Sequence, residues 1–209
     1  MRGVVSGLVL LAWAGFAALA LAVNGERALS WDDPVTDAVS DLIVVSDDRV
    51  HANPGVWAVT VGLGLAVVAL AARQVFRRRP RAVLFAVVAV VGIVGLIELA
   101  KLVSSRPVIE GSGEGSFPSG TATWTLAASA VSVLLLDAGR SRRWAAVVAA
   151  LLVAATAAVI VWERWHYPSD VLGGWLLAAG WVGAVWLSIG WSEREGRGRL
   201  LGEHPPDRE

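Results

Sequence analysis

Six runs of about 20 mostly apolar residues, at roughly 3–23, 56–76, 82–100, 121–137, 144–162 and 169–191, constrain this chain more than anything else in it. About 20 such residues are what an α-helix needs to cross the hydrocarbon core of a bilayer. No water reaches the peptide groups there, so a spanning segment must satisfy its own backbone, as a helix does. Strands of a membrane barrel would alternate apolar with polar residues, and these runs do not. The reading is all-α: one six-helix transmembrane bundle over 1–191, followed by a charged tail at 192–209 that contains Pro and Gly. The first run follows Met1-Arg2 and is longer than the ~7–15 apolar residues of a secretion signal, so it is expected to remain as a span.

Arginine sets the orientation. Arg73, Arg77, Arg78, Arg79 and Arg81 lie between the second and third runs, Arg140, Arg142 and Arg143 between the fourth and fifth, and Arg194, Arg197 and Arg199 after the sixth. Basic loops stay cytoplasmic, so these turns, both termini and the 192–209 tail are expected inside. Segments 24–55, 101–120 and 163–168 then face outward, the first carrying Asp32, Asp33, Asp37, Asp41, Asp47 and Asp48. The absence of cysteine fits an outward face without disulfides but names no compartment. Localisation is thus a multi-pass cell-membrane protein whose site is extracytoplasmic. Membrane lipids are expected partners, and nucleic acid is not.

In the first outward segment Val35, Ala38, Val39, Leu42 and Ile43 follow a three-four spacing, with Asp37 and Asp41 on another face and Pro34 able to occupy a first helical turn. This predicts a short interfacial helix, either packed over the bundle or acting as a lid. The second segment contains Lys101, the only lysine, one turn after Glu98, then Arg106-Pro107 and, past a Gly/Ser-rich stretch, Pro118-Ser119-Gly120-Thr121. A terminal lysine often snorkels to the interface, whereas an ionisable Glu98 within a span tends to be paired or functional. Ser119 suits a helix cap, and the helix N-terminus that it opens favours an anion. The third segment runs Arg164-Trp165-His166-Tyr167-Pro168-Ser169-Asp170. Taken alone, His166 reads as an interfacial polar residue. Convergence of Lys101, Arg106 and a helix N-terminus on the same face makes a phosphate cradle around a nucleophile the stronger reading.

Those residues, in this order and topology, resemble the type 2 phosphatidic acid phosphatase superfamily, which includes lipid phosphatases, prenyl-diphosphate phosphatases and vanadium haloperoxidases. The resemblance implies that Lys101, Ser119 and Gly120 bind phosphate, that His166 attacks phosphorus and that Asp170, four residues on, orients it. Three positions depart from the family pattern. The Arg of its Arg-Pro would fall at Val108, and Arg106 stands two residues earlier. An arginine expected at Ile160 is missing, and Arg164 is four residues later, where a continuing helix would place it on the same side; otherwise it pairs with Glu163 or lipid headgroups. Thr121 replaces the acid histidine, which leaves His51 as the other outward histidine.

The last departure has a chemical consequence. A threonine hydroxyl donates a hydrogen bond but does not protonate a leaving group near neutral pH. A phosphomonoester must expel an alkoxide, about as basic as hydroxide from water with its pKa of ~15.7, whereas a lipid diphosphate expels a phosphate whose second pKa is ~6. Loss of a general acid, typically worth about 10²–10⁴, therefore hurts the first reaction more. The expectation is a metal-independent enzyme without a cofactor, hydrolysing a lipid-linked (di)phosphate, with polyprenyl diphosphate favoured, through a phosphohistidine. Catalysis would rest on His166 and Asp170, and phosphate binding on Lys101, Arg106, Ser119, Gly120, Thr121 and Arg164. No carboxylate and histidine cluster at metal-ligand spacing is visible on the outward face. The rival is a non-catalytic lipid-phosphate-binding or scaffold relative of the same fold.

Overall fold

The computed structural model describes residues 2–25, 28–42, 54–104, 106 and 116–189. These residues form seven helices: α1 (Arg2–Val23), α2 (Asp32–Leu42), α3 (Pro54–Phe76), α4 (Pro80–Val103), α5 (Gly120–Leu135), α6 (Arg140–Trp162) and α7 (Pro168–Ile189). The architecture is all-helical, and the bounds of six helices fall within a few residues of the apolar runs. His51, Pro107 and the 192–209 tail lie outside the described residues.

Five of the helices, α1, α3, α4, α6 and α7, are long and apolar enough to cross a membrane. They make the chain a multi-pass membrane protein. The sixth, α5, has 16 residues and is shorter than the expected 121–137 run. Its length is set by protein contacts, because α3, α4, α6 and α7 all pack against it. Thr123, Thr125 and Ser129 are buried along it, and the first two return their hydroxyls to carbonyls four residues earlier. The helix stops at Leu135 because Asp137 turns outward to Arg73 and Arg79, at 3.1 and 2.8 Å, and to Arg77. Burial pushes the Asp137 carboxyl up, but hydrogen bonds and charge from Arg79 and Arg77 outweigh it and hold its pKa below the usual carboxylate value.

The core is a stripe of α4, Ala82, Phe85, Ala86, Ala89, Ile93 and Ile97, closed by Ala127, Val131 and Leu135 of α5 and Leu177, Ala178 and Val182 of α7. The three- and four-residue spacing on α4 is that of one helix face. α1 lies along α7, with the Trp13 indole resting on Gly180. Phe16 of α1 stacks on Phe117, 5.6 Å between centroids, so the first helix reaches the segment that leads into α5.

The predicted helix is present as α2, but only part of its apolar face docks. Asp32 and Thr36 are its buried residues and Val39 packs, half-buried, on the cluster around Ile160, whereas Val35 and Leu42 are exposed. Asp32 points inward because it finds hydrogen-bond partners on Ser169 and Arg106.

Candidate active site

The turn between α6 and α7 carries His166. Helix α6 ends in a Schellman motif: the Arg164 N–H donates to the Val161 carbonyl and the Trp165 N–H to the Ile160 carbonyl, both at 3.0 Å. Arg164 takes the left-handed residue of that motif, with φ 56°, a conformation usually given to glycine. Trp165 then packs back on the cluster around Ile160 and Val161, and the chain turns into α7.

Helix α7 starts with Pro168 at its first position, where no N–H is needed. Asp170, two residues on, reaches back so that Oδ2 accepts the Tyr167 N–H at 3.1 Å, half of a capping box. The same oxygen lies 3.6 Å from His166 Nδ1, a buried nitrogen with no hydrogen-bond partner among the described residues. A typical N–H···O bond is ~2.9–3.0 Å, so a movement of under ~1 Å closes it. The His166 side chain keeps 18% of its surface exposed while that of Asp170 keeps none, which leaves the imidazole as the accessible member of the pair.

Helix α5 begins beside this pair. The Ser119 N–H donates to the Asp170 carbonyl at 3.1 Å. Ser119 Oγ caps α5 by accepting the Ala122 N–H at 3.3 Å. Gly120 and Thr121 follow, half-buried, with backbone N–H groups at positions that have no acceptor inside a helix. A Cβ on Gly120 would stand 3.8 Å from Lys101 Nζ, so the ammonium of α4 lies over the start of α5. The close approach of α5 and α7 depends on Gly173 and Gly174. A Cβ at the former would meet the Phe117 ring at 2.2 Å, and at the latter the Ser119 carbonyl oxygen at 2.9 Å.

Arg106 is 1% exposed and lies behind Asp170. Its Nη1 donates to Asp170 Oδ1 and to Ser169 Oγ, both at 2.6 Å, its Nη2 donates to Asp32 Oδ2 at 2.8 Å, and its guanidinium sits 4.3 Å over the Tyr167 ring. Asp32, also fully buried, accepts from the Ser169 N–H at 2.9 Å, the Ser169 hydroxyl at 2.7 Å and the Leu29 N–H at 2.8 Å. Buried charges persist only when paired and hydrogen-bonded, and this triad meets both conditions. Burial pushes the Tyr167 phenol up; Arg106 opposes the rise, and the Asp33, Asp170 and Asp32 carboxylates add to it. Tyr167 therefore stays neutral across ordinary pH.

Residues 96–194, from the last turns of α4 through α7, match the sequence model of the PAP2 superfamily. This stretch of the chain is similar to the PAP2 superfamily. The fold of the chain is similar to the crystal structure of a transmembrane PAP2-type phosphatidylglycerolphosphate phosphatase from Bacillus subtilis, with a TM-score of 0.65 and 16% identity, covering 93% of this chain and 98% of that one. No curated protein matches the chain in sequence.

Within the matched stretch the structure gathers Lys101, Ser119, Gly120, Thr121, His166 and Asp170 at one end of the bundle, but two arginines stand differently from expectation. Arg106 has no exposed side-chain surface, so it cannot touch a substrate from this position. Arg164 does not continue α6, which ends at Trp162, so the one-turn relation to Ile160 fails. Its Nη2 pairs with Asp37 at 3.0 Å, and Asp37 is 66% exposed. Ser119 is buried as a cap. Glu98 is exposed and pairs with none of the described residues. Asp32 is the site residue that sequence reading missed, since an Asp-Asp-Pro run reads first as a helix start with acids favoured by the dipole.

Proposed function

We propose that this protein is a membrane lipid phosphatase that hydrolyses a lipid-linked (di)phosphate through a phosphohistidine, with polyprenyl diphosphate the favoured substrate. The observation that carries this reading is the His166–Asp170 pair, a partly exposed imidazole whose Nδ1 faces a buried carboxylate, set against the open N-terminus of α5. A protein that only binds phosphate needs cations and N–H groups but no oriented imidazole.

With Nδ1–H directed at Asp170, the lone pair is on Nε2, which attacks phosphorus as the ester or anhydride bond to the leaving oxygen breaks. Lys101 and the Gly120 and Thr121 N–H groups stabilise the equatorial oxygens. Arg164 adds its fork if it exchanges Asp37 for phosphate, and Ser119 contributes by holding the α5 terminus in place. Water then hydrolyses the phosphohistidine and returns the imidazole. The scheme needs no metal. Thr121 supplies no proton, so a phosphate leaving group suits the site better than an alkoxide. Six spans, α5 included, with the arginine-rich turns and both termini in the cytoplasm, put this end of the bundle on the extracytoplasmic face, where a lipid headgroup meets it from the bilayer.

A second reading, a non-catalytic lipid-phosphate-binding relative, draws on Thr121 and on the engagement of both Arg106 and Arg164 with carboxylates. Phosphate release by the detergent-purified protein separates the two. Polyprenyl diphosphate, phosphatidate and phosphatidylglycerol phosphate are offered with chelator present, beside His166→Ala. Release from the diphosphate that vanishes in the variant is the expected result. Folded protein that binds lipid phosphate and releases none establishes the second reading.

A further inference from the structure

The chemistry above gives Asp32 no task, yet it is as buried as Asp170 and is bonded on both oxygens. We propose that Asp32 is a positioning residue: it takes up the charge of Arg106, so that Asp170 keeps its own negative charge for His166. The inference rests on His166 being the nucleophile.

Arg106 stands between two carboxylates, 2.8 Å from Asp32 Oδ2 and 2.6 Å from Asp170 Oδ1, and all three side chains have no exposed surface. Water does not screen such groups, so each charge acts strongly on its neighbours. Asp32 shares the Arg106 guanidinium with Asp170, whose other oxygen, Oδ2, stands 3.6 Å from His166 Nδ1. Without Asp32, more of the Arg106 charge would fall on Asp170, and the attraction of Asp170 for the imidazole N–H would weaken. Asp32 is also fixed in direction, since its two oxygens accept from Ser169 N–H, Ser169 O–H, Leu29 N–H and Arg106. Three of those donors lie on the residue next to Asp170 or on the arginine that holds it. Helix α2 thus contributes to the site through charge.

Charge balance and mere scaffolding make opposite predictions for a double substitution. Asp32→Asn leaves the triad neutral, and adding Arg106→Gln restores one negative charge while removing still more of the network. On the charge-balance account Asp32→Asn lowers kcat by roughly 10–100-fold, the usual range for residues that act through a ligand or base, with little change in KM. The double variant then recovers about tenfold of the loss. A second readout needs no turnover: in protein with ¹⁵N-labelled histidine, the hydrogen-bonded Nδ1–H proton of His166, assigned by its loss in His166→Gln, disappears in Asp32→Asn and returns in the double variant. A double variant as slow as the single one, or slower, with the proton still missing, overturns the proposal, as does Asp32→Asn at the parental rate. Should Asp32→Asn not fold, Ser169→Ala decides: it keeps every charge and removes one latch. A loss of no more than a few-fold supports charge balance, and a loss matching that of His166→Ala overturns it. If the parent protein releases no phosphate from any lipid, the phosphatase reading fails, while the proton signal still tests the role of Asp32.

Discussion

Gly174→Ala asks how closely α5 and α7 must approach for the His166–Asp170 pair to work. The added Cβ would lie 2.6 Å from Thr123 Oγ1, 2.9 Å from the Ser119 carbonyl oxygen and 3.1 Å from the Thr123 nitrogen, where ordinary contact begins at 3.4 Å. The Thr123 hydroxyl is not free to swing away, because it donates to that same Ser119 carbonyl at 2.7 Å. The backbones must therefore part by about 0.5 Å at Ser119, one turn of α7 below Asp170. Overpacking of this kind costs about 1–3 kcal/mol. The bond from Ser119 N–H to the Asp170 carbonyl lies in the path of the shift, and displacements approaching 1 Å near reacting groups cost up to about 10²-fold in rate. Thermal unfolding in detergent is expected to occur at lower temperature, and phosphate release to fall by more than tenfold. Gly95→Ala serves as the control, since a Cβ there meets nothing within 4 Å and alanine is the better helix former by up to ~1 kcal/mol. Parental melting and parental rate in Gly174→Ala would refute the claim that this contact sets the site.

Thr121→His restores an acid to the α5 terminus, and monoester hydrolysis should rise relative to diphosphate hydrolysis by about 10²-fold; an unchanged ratio of the two rates removes the leaving-group argument. Arg164→Gly relieves a left-handed residue, so unfolding should become harder by about 1 kcal/mol, with a raised KM if the guanidinium binds phosphate; a lower melting temperature would mean that the Asp37 pair outweighs the strain. Asp137 has a depressed carboxyl pKa in the folded chain, so its stabilising effect is present above the unfolded value of ~3.9 and is lost as pH falls through the folded one. Because the group is 44% exposed, the effect should stay below ~1 kcal/mol, and Asp137→Asn should melt lower than the parent at pH 7 and converge with it in acid.

The elements of the fold were legible because a bilayer leaves few choices: a run such as 82–100 has to be a helix, and α4 is one, extended by the Pro80 start and by Lys101 at its end. What escaped the sequence were the features that depend on partners distant in the chain. Asp137 shortens α5 because Arg73, Arg77 and Arg79 wait at the end of α3, more than 50 residues away. Asp32 reads as part of a helix start and Arg106 as a phosphate ligand, and only their meeting with Ser169 and Asp170 makes them interior. The reading of Arg164 failed on a local event, since no glycine marks the end of α6. The proximity of His166 and Asp170 was legible because it is made within about one turn of chain.

The pairing of α1 with α7 has a consequence for how the molecule is made. Of the described helices α1 is made before the others and finds its main surface on α7, which is made after them, with Val9 against Gly183, Trp13 against Gly180 and Gly15 against Leu176. Until α7 is inserted, Trp13 and Val9 can face only lipid, and Asp32 waits without Ser169. A nascent chain stopped before residue 168 therefore holds α1 through α6 but not Asp170, whose carboxylate faces His166. The His166–Asp170 pair and the packing of α1 on α7 are completed in the same step of synthesis.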